Sequence, residues 1–102
     1  MLNQQMNKSE IREHAIQLAL TDLEFHNEKY RRHCGHPPAK GLVAVIQWLH
    51  DHEQVDSMRE AVSEMIEQLE QDLWNGGEES ALFHLLRSTL FLHWLLTRNI
   101  GE

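Results

Sequence analysis

The chain has 102 residues, which is enough for one small domain with a single core. Hydrophobic residues make up 41% of it and charged residues 25%, as in an ordinary globular protein. The formal charge of −7 is concentrated in residues 41–80, which carry one Arg against ten Asp and Glu, whereas each flanking segment has a net charge of +1. Because phosphates bind cations, this acidic block argues against a nucleic-acid partner.

Several features of the sequence predict a cytoplasmic protein. Cys34 is the only cysteine, which excludes an internal disulfide framework and fits a reducing compartment. The first residues lack the basic-then-apolar pattern of a signal peptide. The most apolar stretch, residues 80–97, is interrupted by His84, Arg87 and His93. A membrane span tolerates few such interruptions, so we expect no membrane partner.

Turn signals predict four helices, at about residues 8–32, 38–53, 57–74 and 79–98. Asn7 with Glu10 three residues later, or Ser9 alone, is suited to cap the start of the first helix. The Gly-His-Pro-Pro stretch at residues 35–38 ends that helix, because glycine and proline break helical structure. The second helix is expected to begin near Pro38, since proline is well tolerated in a first turn.

The third predicted helix has the clearest periodicity. A capping box formed by Ser57 and Glu60 is expected at its start. Its apolar residues recur at spacings of three and four, as a core-facing stripe requires: Met58, Ala61, Val62, Met65, Ile66, Leu69 and Leu73. The Asn75-Gly76-Gly77 sequence predicts its end, because glycine readily adopts the left-handed conformation of a helix C-terminus.

The fourth predicted helix is apolar on nearly all sides, which indicates that other protein surrounds it. Four helices with short connections pack as antiparallel neighbours, so we predict an all-α, four-helix antiparallel bundle. The excess apolar surface of the fourth helix can be covered by the long first helix or by a second subunit. If left exposed it would form an apolar patch, so we expect a homodimer through one of these helices.

Polar residues at predicted core positions indicate one candidate metal site. Asp22 and His26 lie four residues apart on the predicted core face of the first helix, whose apolar members are Ile11, Ala15, Leu18 and Phe25. His93 lies among leucines, and we place it opposite this pair. With His50, or Asp72, these residues are suited to bind a transition metal such as zinc inside the bundle. The alternative is that they hydrogen-bond to one another and to carbonyls in the core.

A second candidate metal site lies in the loop after the first helix. His33, Cys34 and His36 place three potential ligands within four residues. A structural zinc site usually needs four ligands, so a fourth would have to come from elsewhere. The alternative is a polar loop beside a helix C-terminus, where cations complement the helix dipole.

The third predicted helix also carries a ridge of like charges. Glu60, Glu64, Glu67 and Glu70 recur at spacings of three and four and therefore share one face. A charged face of this kind keeps a protein soluble. It is also suited to dock a basic protein partner, because complementary charge speeds association.

A short motif in the fourth helix, His84-Leu85-Leu86-Arg87-Ser88, resembles the phosphohistidine site of histidine phosphotransfer domains, which are also four-helix bundles. Those domains carry His-x-x-Lys-Gly, and here Arg87 stands for the lysine and Ser88 for the glycine. The resemblance covers five residues and implies that His84 would carry the phosphoryl group. The serine departs from the pattern by narrowing the space that glycine leaves for a docking partner.

No motif of catalysis stands out. There is no Ser/His/Asp arrangement, no phosphate-binding glycine loop and no paired-carboxylate signature, so we do not expect an enzyme. The sequence therefore predicts a non-catalytic protein-binding or regulatory module without a cofactor. The alternatives are a metal-binding bundle and a phosphotransfer domain.

Overall fold

A computed structural model of the protein describes residues 7–77 and 79–98. Over these residues the chain has no strand and forms four α-helices: α1 (Lys8–Cys34), α2 (Leu42–Asp51), α3 (Val55–Trp74) and α4 (Glu79–Thr97). α4 packs against α1 and α3, and α2 packs against α3. The predicted all-α four-helix bundle is therefore confirmed. None of these helices, within the described ranges, is long and apolar enough to cross a membrane.

Both ends of α1 follow from local sequence signals. The Glu10 amide donates to Asn7 Oδ1 at 2.8 Å and the Asn7 amide donates to Glu10 Oε1 at 3.3 Å, so the predicted capping box is present. Gly35 ends the helix with a φ of 83°, a left-handed conformation that carries no Cβ penalty in glycine. α1 thus runs two residues beyond its predicted end.

The starts of α2 and α3 differ from the prediction. Pro38–Gly41 forms a 3-10 turn, and Lys40 within it has a φ of 57°, so the α-helix begins only at Leu42. α3 begins at Val55, which places Ser57 inside the helix. The predicted capping box at Ser57 is therefore wrong. The backbone hydrogen bond from Met58 to Gln54 already closes the first turn, so the serine is not needed as a cap.

The core is built from residues of all four helices, with α4 packed against both α1 and α3. The predicted stripe of α3 is confirmed, since its buried residues are Met58, Ala61, Val62, Met65 and Leu69. α4 contributes the buried leucines 82, 85, 92, 95 and 96. The Asn75-Gly76 turn ends α3 as predicted, with Gly76 at a φ of 81°.

The predicted core face of α1 is wrong. The buried residues are Ile16, Ala19, Leu20, Leu23 and Tyr30, whereas Ile11, Leu18 and Phe25 are 51%, 60% and 62% exposed. At 100° per residue, α1 has two apolar arcs about 140° apart. The neighbouring helices cover only one of them, and periodicity within α1 does not indicate which.

Two arginines hold the C-terminal end of α4. Arg12 of α1 donates to the Leu95 and Leu96 carbonyls at 3.0 and 2.9 Å, and Arg59 of α3 donates to the Leu96 carbonyl at 3.3 Å. The last carbonyls of a helix have no intrahelical donor, and cations there also complement the helix dipole. These contacts set the axial position of α4 between α1 and α3.

Candidate functional site

An exposed apolar surface covers the outward side of α1 and α4. Its members are each roughly half exposed: Ile11, Leu18 and Phe25 of α1, and Phe83, Leu90, Phe91 and Trp94 of α4. We call this surface the α1/α4 face. If a fully exposed side chain of this class presents about 200 Å², the seven present roughly 700 Å².

Helical periodicity explains why these side chains share one side. The three residues of α1 are seven apart, so they form a single stripe along the helix. The four residues of α4 recur at spacings of three, four and seven and flank Arg87. Antiparallel packing sets the two stripes side by side, because Arg12 contacts the C-terminal end of α4 while His26 contacts His84 near its start.

A polar cluster lies at the contact between α1 and α4, next to this face. The Ser88 hydroxyl donates to Asp22 Oδ2, and His26 Nε2 lies 3.5 Å from Asp22 Oδ1. The His26 ring stacks on the His84 ring at 5.2 Å with an angle of 3° between their planes. Arg87 Nη2 lies 3.5 Å from His84 Nδ1. Asp22 and His26 are thus neighbours, as predicted, but their partners across the contact are Ser88 and His84.

An open groove of about 990 Å³ lies between the second half of α1 and the first half of α4. Phe25 and Ala81 provide part of its apolar lining, and His26 and His84 line it together with Lys29. The groove is continuous with the α1/α4 face, since Phe25 belongs to both. It therefore extends the exposed apolar surface into a depression that contains cationic and titratable groups.

An ion pair at the edge of this groove changes the pKa of both of its partners. Arg31 donates to both carboxylate oxygens of Glu28, and Arg32 Nε lies 3.5 Å from Glu28 Oε1. The hydrogen bonds from Arg31 lower the pKa of the Glu28 carboxyl, and the same pairing raises the pKa of Arg31. Glu28 therefore remains ionised, with its charge engaged by its own helix.

The residues predicted to form a metal site in the core are not brought together. His93 lies on the α3 side of α4, beside Arg59 and Glu60, and His50 Nε2 contacts Glu13 Oε2 at 2.8 Å. Over residues 7–77 and 79–98, no group of three or more His, Cys, Asp and Glu side chains is placed to hold a metal ion. The expectation that His93 lies opposite the Asp22–His26 pair is wrong. His93 is five residues beyond Ser88, about 140° around the helix, so it faces a different neighbour.

The three residues of the predicted metal loop also diverge. Cys34 is half-buried and packs against the core at the end of α1. His33 lines the α1/α4 groove. His36 Nδ1 lies 3.2 Å from the Pro37 carbonyl, and its ring meets the edge of Tyr30 at 5.8 Å. Within the described part of the chain this loop forms no metal-binding group.

The acidic ridge of α3 is fully on the surface. Glu60, Glu64, Glu67 and Glu70 are all exposed. Three of them line an open groove with His93 and Arg59. The ridge borders the side of α4 that faces α3, whereas the α1/α4 face lies on the α1 side. The molecule therefore separates an acidic surface from an apolar one.

Comparison of the chain with models of protein families, with curated proteins and with solved structures gives no match. The chemistry of its own residues must therefore carry any functional conclusion. The α1/α4 face is the strongest feature, and the sequence does contain a signal for it: Ile11, Leu18 and Phe25 repeat every seven residues. That signal was open to two interpretations, since a repeat of seven fits a core stripe and a docking stripe equally well.

Proposed function

We propose that this chain is a non-catalytic protein-binding module that docks a partner through the α1/α4 face. The supporting observation is that seven large apolar side chains are exposed along one stripe of α1 and one stripe of α4, two helices that pack together. Exposed apolar side chains grouped in this way and bordered by polar residues are typical of interaction surfaces. Four of the seven are aromatic, and aromatic side chains provide much of the binding energy at interfaces.

The size and stiffness of the face also fit docking. Its apolar part of roughly 700 Å² compares with about 800 Å² that each partner buries in an interface of standard size. The side chains stand on two packed helices held together by the contacts of Arg12, Ser88 and His26. A surface of this kind binds without large rearrangement of its backbone.

Photo-crosslinking in the organism that makes the protein tests this proposal. A photoreactive amino acid is placed at Leu18 or Trp94 on the face, and at Val45 or Trp74 as matched controls outside it. Trp74 is 88% exposed, so it controls for exposure alone. We expect discrete adducts with another protein from both face positions and none from the controls. Absence of adducts at the face, or equal labelling at all four positions, contradicts the proposal.

Histidine phosphotransfer is a second candidate function, and one observation favours it. Ser88 is turned inward and donates its hydroxyl to Asp22, with only 5% of the residue exposed. It therefore does not narrow the approach to His84, which is exposed and has Arg87 beside its Nδ1. The test is to mix the protein with a phosphorylated receiver domain. Acid-labile phosphate that disappears in His84→Gln supports this function, and an unlabelled wild-type protein refutes it.

A further inference from the structure

Arg87 stands in the middle of the apolar surface of α4. Phe83 precedes it by four residues, and Leu90, Phe91 and Trp94 follow it by three, four and seven, so all four surround it on the helix. Its guanidinium lies 3.5 Å from His84 Nδ1, and no carboxylate of the described residues lies within ion-pair distance. A partner that covers the face therefore covers an arginine without a counter-charge.

Charges of both signs lie around the face, since Glu24 and Glu28 line the adjoining groove together with Lys29. Lys29 follows Phe25 on the stripe of α1, and the Arg98 guanidinium lies 5.0 Å from the centre of the Trp94 ring. The Asp22 carboxylate accepts a hydrogen bond from Ser88 and lies 3.5 Å from His26, so it is not paired with Arg87. The centre of the face, with Arg87 among apolar side chains, thus differs from the acidic ridge on α3.

We propose that the α1/α4 face binds an amphipathic helix of a partner protein that carries carboxylates within and beside its apolar stripe. This inference rests on the proposed function and specifies the partner. Covering an unpaired arginine is costly, whereas a carboxylate that reaches it forms a charge-assisted, bidentate pair. Lys29 and Arg98, toward opposite ends of the face, are suited to pair with flanking carboxylates. Two parallel apolar stripes form the kind of groove into which a helix fits.

Charge complementarity favours this occupant over a second copy of the chain. A symmetric dimer brings the same patch of both subunits together. Arg87, at the centre of the face, would then lie close to Arg87 of the other copy, and these like charges oppose the symmetric dimer. An anionic membrane surface would attract Arg87, Lys29 and Arg98, but it would also repel a chain with a formal charge of −7.

Two synthetic peptides of 18 residues serve as probes. Both carry the same leucine stripe, one with glutamates within and beside it and the other with lysines at those positions. Binding to the isotope-labelled full chain is followed by amide chemical shifts. We expect the acidic peptide to bind at least about tenfold more tightly than the basic one, because like charges oppose docking. The largest shifts are expected at residues of the α1/α4 face.

Arg87→Glu is the decisive variant, and Lys40→Glu is its control, since Lys40 is an exposed cation outside the face. Arg87→Glu should abolish or reverse the preference for the acidic peptide, while Lys40→Glu should leave it unchanged. Circular dichroism verifies that both variants fold. Equal binding of the two peptides, or an equal effect of the two variants, overturns the inference.

The remaining outcomes separate this inference from the function on which it rests. If neither peptide binds but Leu18 still crosslinks to a protein, the binding module stands and the acidic helix is wrong. A dimer in solution that Arg87→Glu disrupts identifies a second copy as the occupant. Binding to phosphatidylglycerol vesicles without binding to the peptides identifies a membrane surface. If crosslinks and peptide binding are both absent, both proposals fall.

Discussion

Replacing Arg12 with methionine tests how the bundle holds the end of α4. Methionine keeps most of the length and apolar stem of the side chain and removes the guanidinium. The substitution leaves the Leu95 carbonyl without its side-chain donor and takes one of two donors from the Leu96 carbonyl. Arg59→Met removes the longer bond to Leu96, of 3.3 Å, together with the exposed ion pair of Arg59 with Asp56, and leaves the Arg12 bonds in place. Arg12 should therefore contribute more to stability than Arg59.

The magnitude follows from the two bonds and their environment. A hydrogen bond from a charged group contributes about 1.5–3 kcal/mol when buried, and less when water reaches it. Both Arg12 bonds are partly buried, so we expect Arg12→Met to lower the free energy of unfolding by about 2 kcal/mol. Arg59→Met should cost about 1 kcal/mol. For a domain of this size, a loss of 2 kcal/mol lowers Tm by roughly 10 °C.

Denaturant unfolding followed by tryptophan fluorescence measures these changes. The double variant should lose more than the sum of the single losses, because the Leu96 carbonyl then has neither donor. Arg31→Met is the control, since its ion pair with Glu28 lies at the surface within a single turn of α1, and it should leave stability nearly unchanged. If Arg12→Met behaves like this control, or if the two losses simply add, the arginines do not hold α4 as described.

Three further predictions concern single polar groups. Ser88→Ala should lower the free energy of unfolding by about 1 kcal/mol in denaturant titrations, because the buried hydroxyl joins α4 to Asp22. Asn27→Leu should raise it by about 1 kcal/mol, because Asn27 Oδ1 is buried without a hydrogen-bond partner among the described residues. The Glu28 carboxyl should titrate below its ordinary pKa by NMR, and Arg31→Gln should return the midpoint toward that value.

The direction of the pKa shift of Glu28 sets the pH range in which its pairing with Arg31 stabilises the fold. Because the folded protein lowers the pKa of Glu28, its pairing stabilises the fold above the ordinary pKa of 4.5 and is lost as the pH falls through the lowered value. An unshifted midpoint in the wild type would contradict the pairing.

If Ser88→Ala leaves the free energy of unfolding unchanged, the hydroxyl does not help to hold Asp22. If Asn27→Leu lowers the free energy of unfolding, water satisfies the buried carbonyl of Asn27.

Local sequence signals predict the features that depend on neighbouring residues. The cap formed by Asn7 and Glu10 and the turn at Gly76 follow from interactions within one or two helical turns, so turn chemistry predicts them. The core stripe of α3 is predictable for a different reason: this helix has a single apolar arc, so periodicity leaves one choice for its buried side.

The packing of the helices decides which apolar arc of α1 is buried, which neighbour His93 faces and how Arg12 and Arg59 hold α4. Each depends on where another helix lies, and the partners of Arg12 are 83 and 84 residues away in the chain. Leu18 is as apolar as Leu23, yet one is 60% exposed and the other fully buried. Hydrophobicity favours burial of both, but the packing of α4 and α2 covers one arc of α1 and leaves the other free to bind.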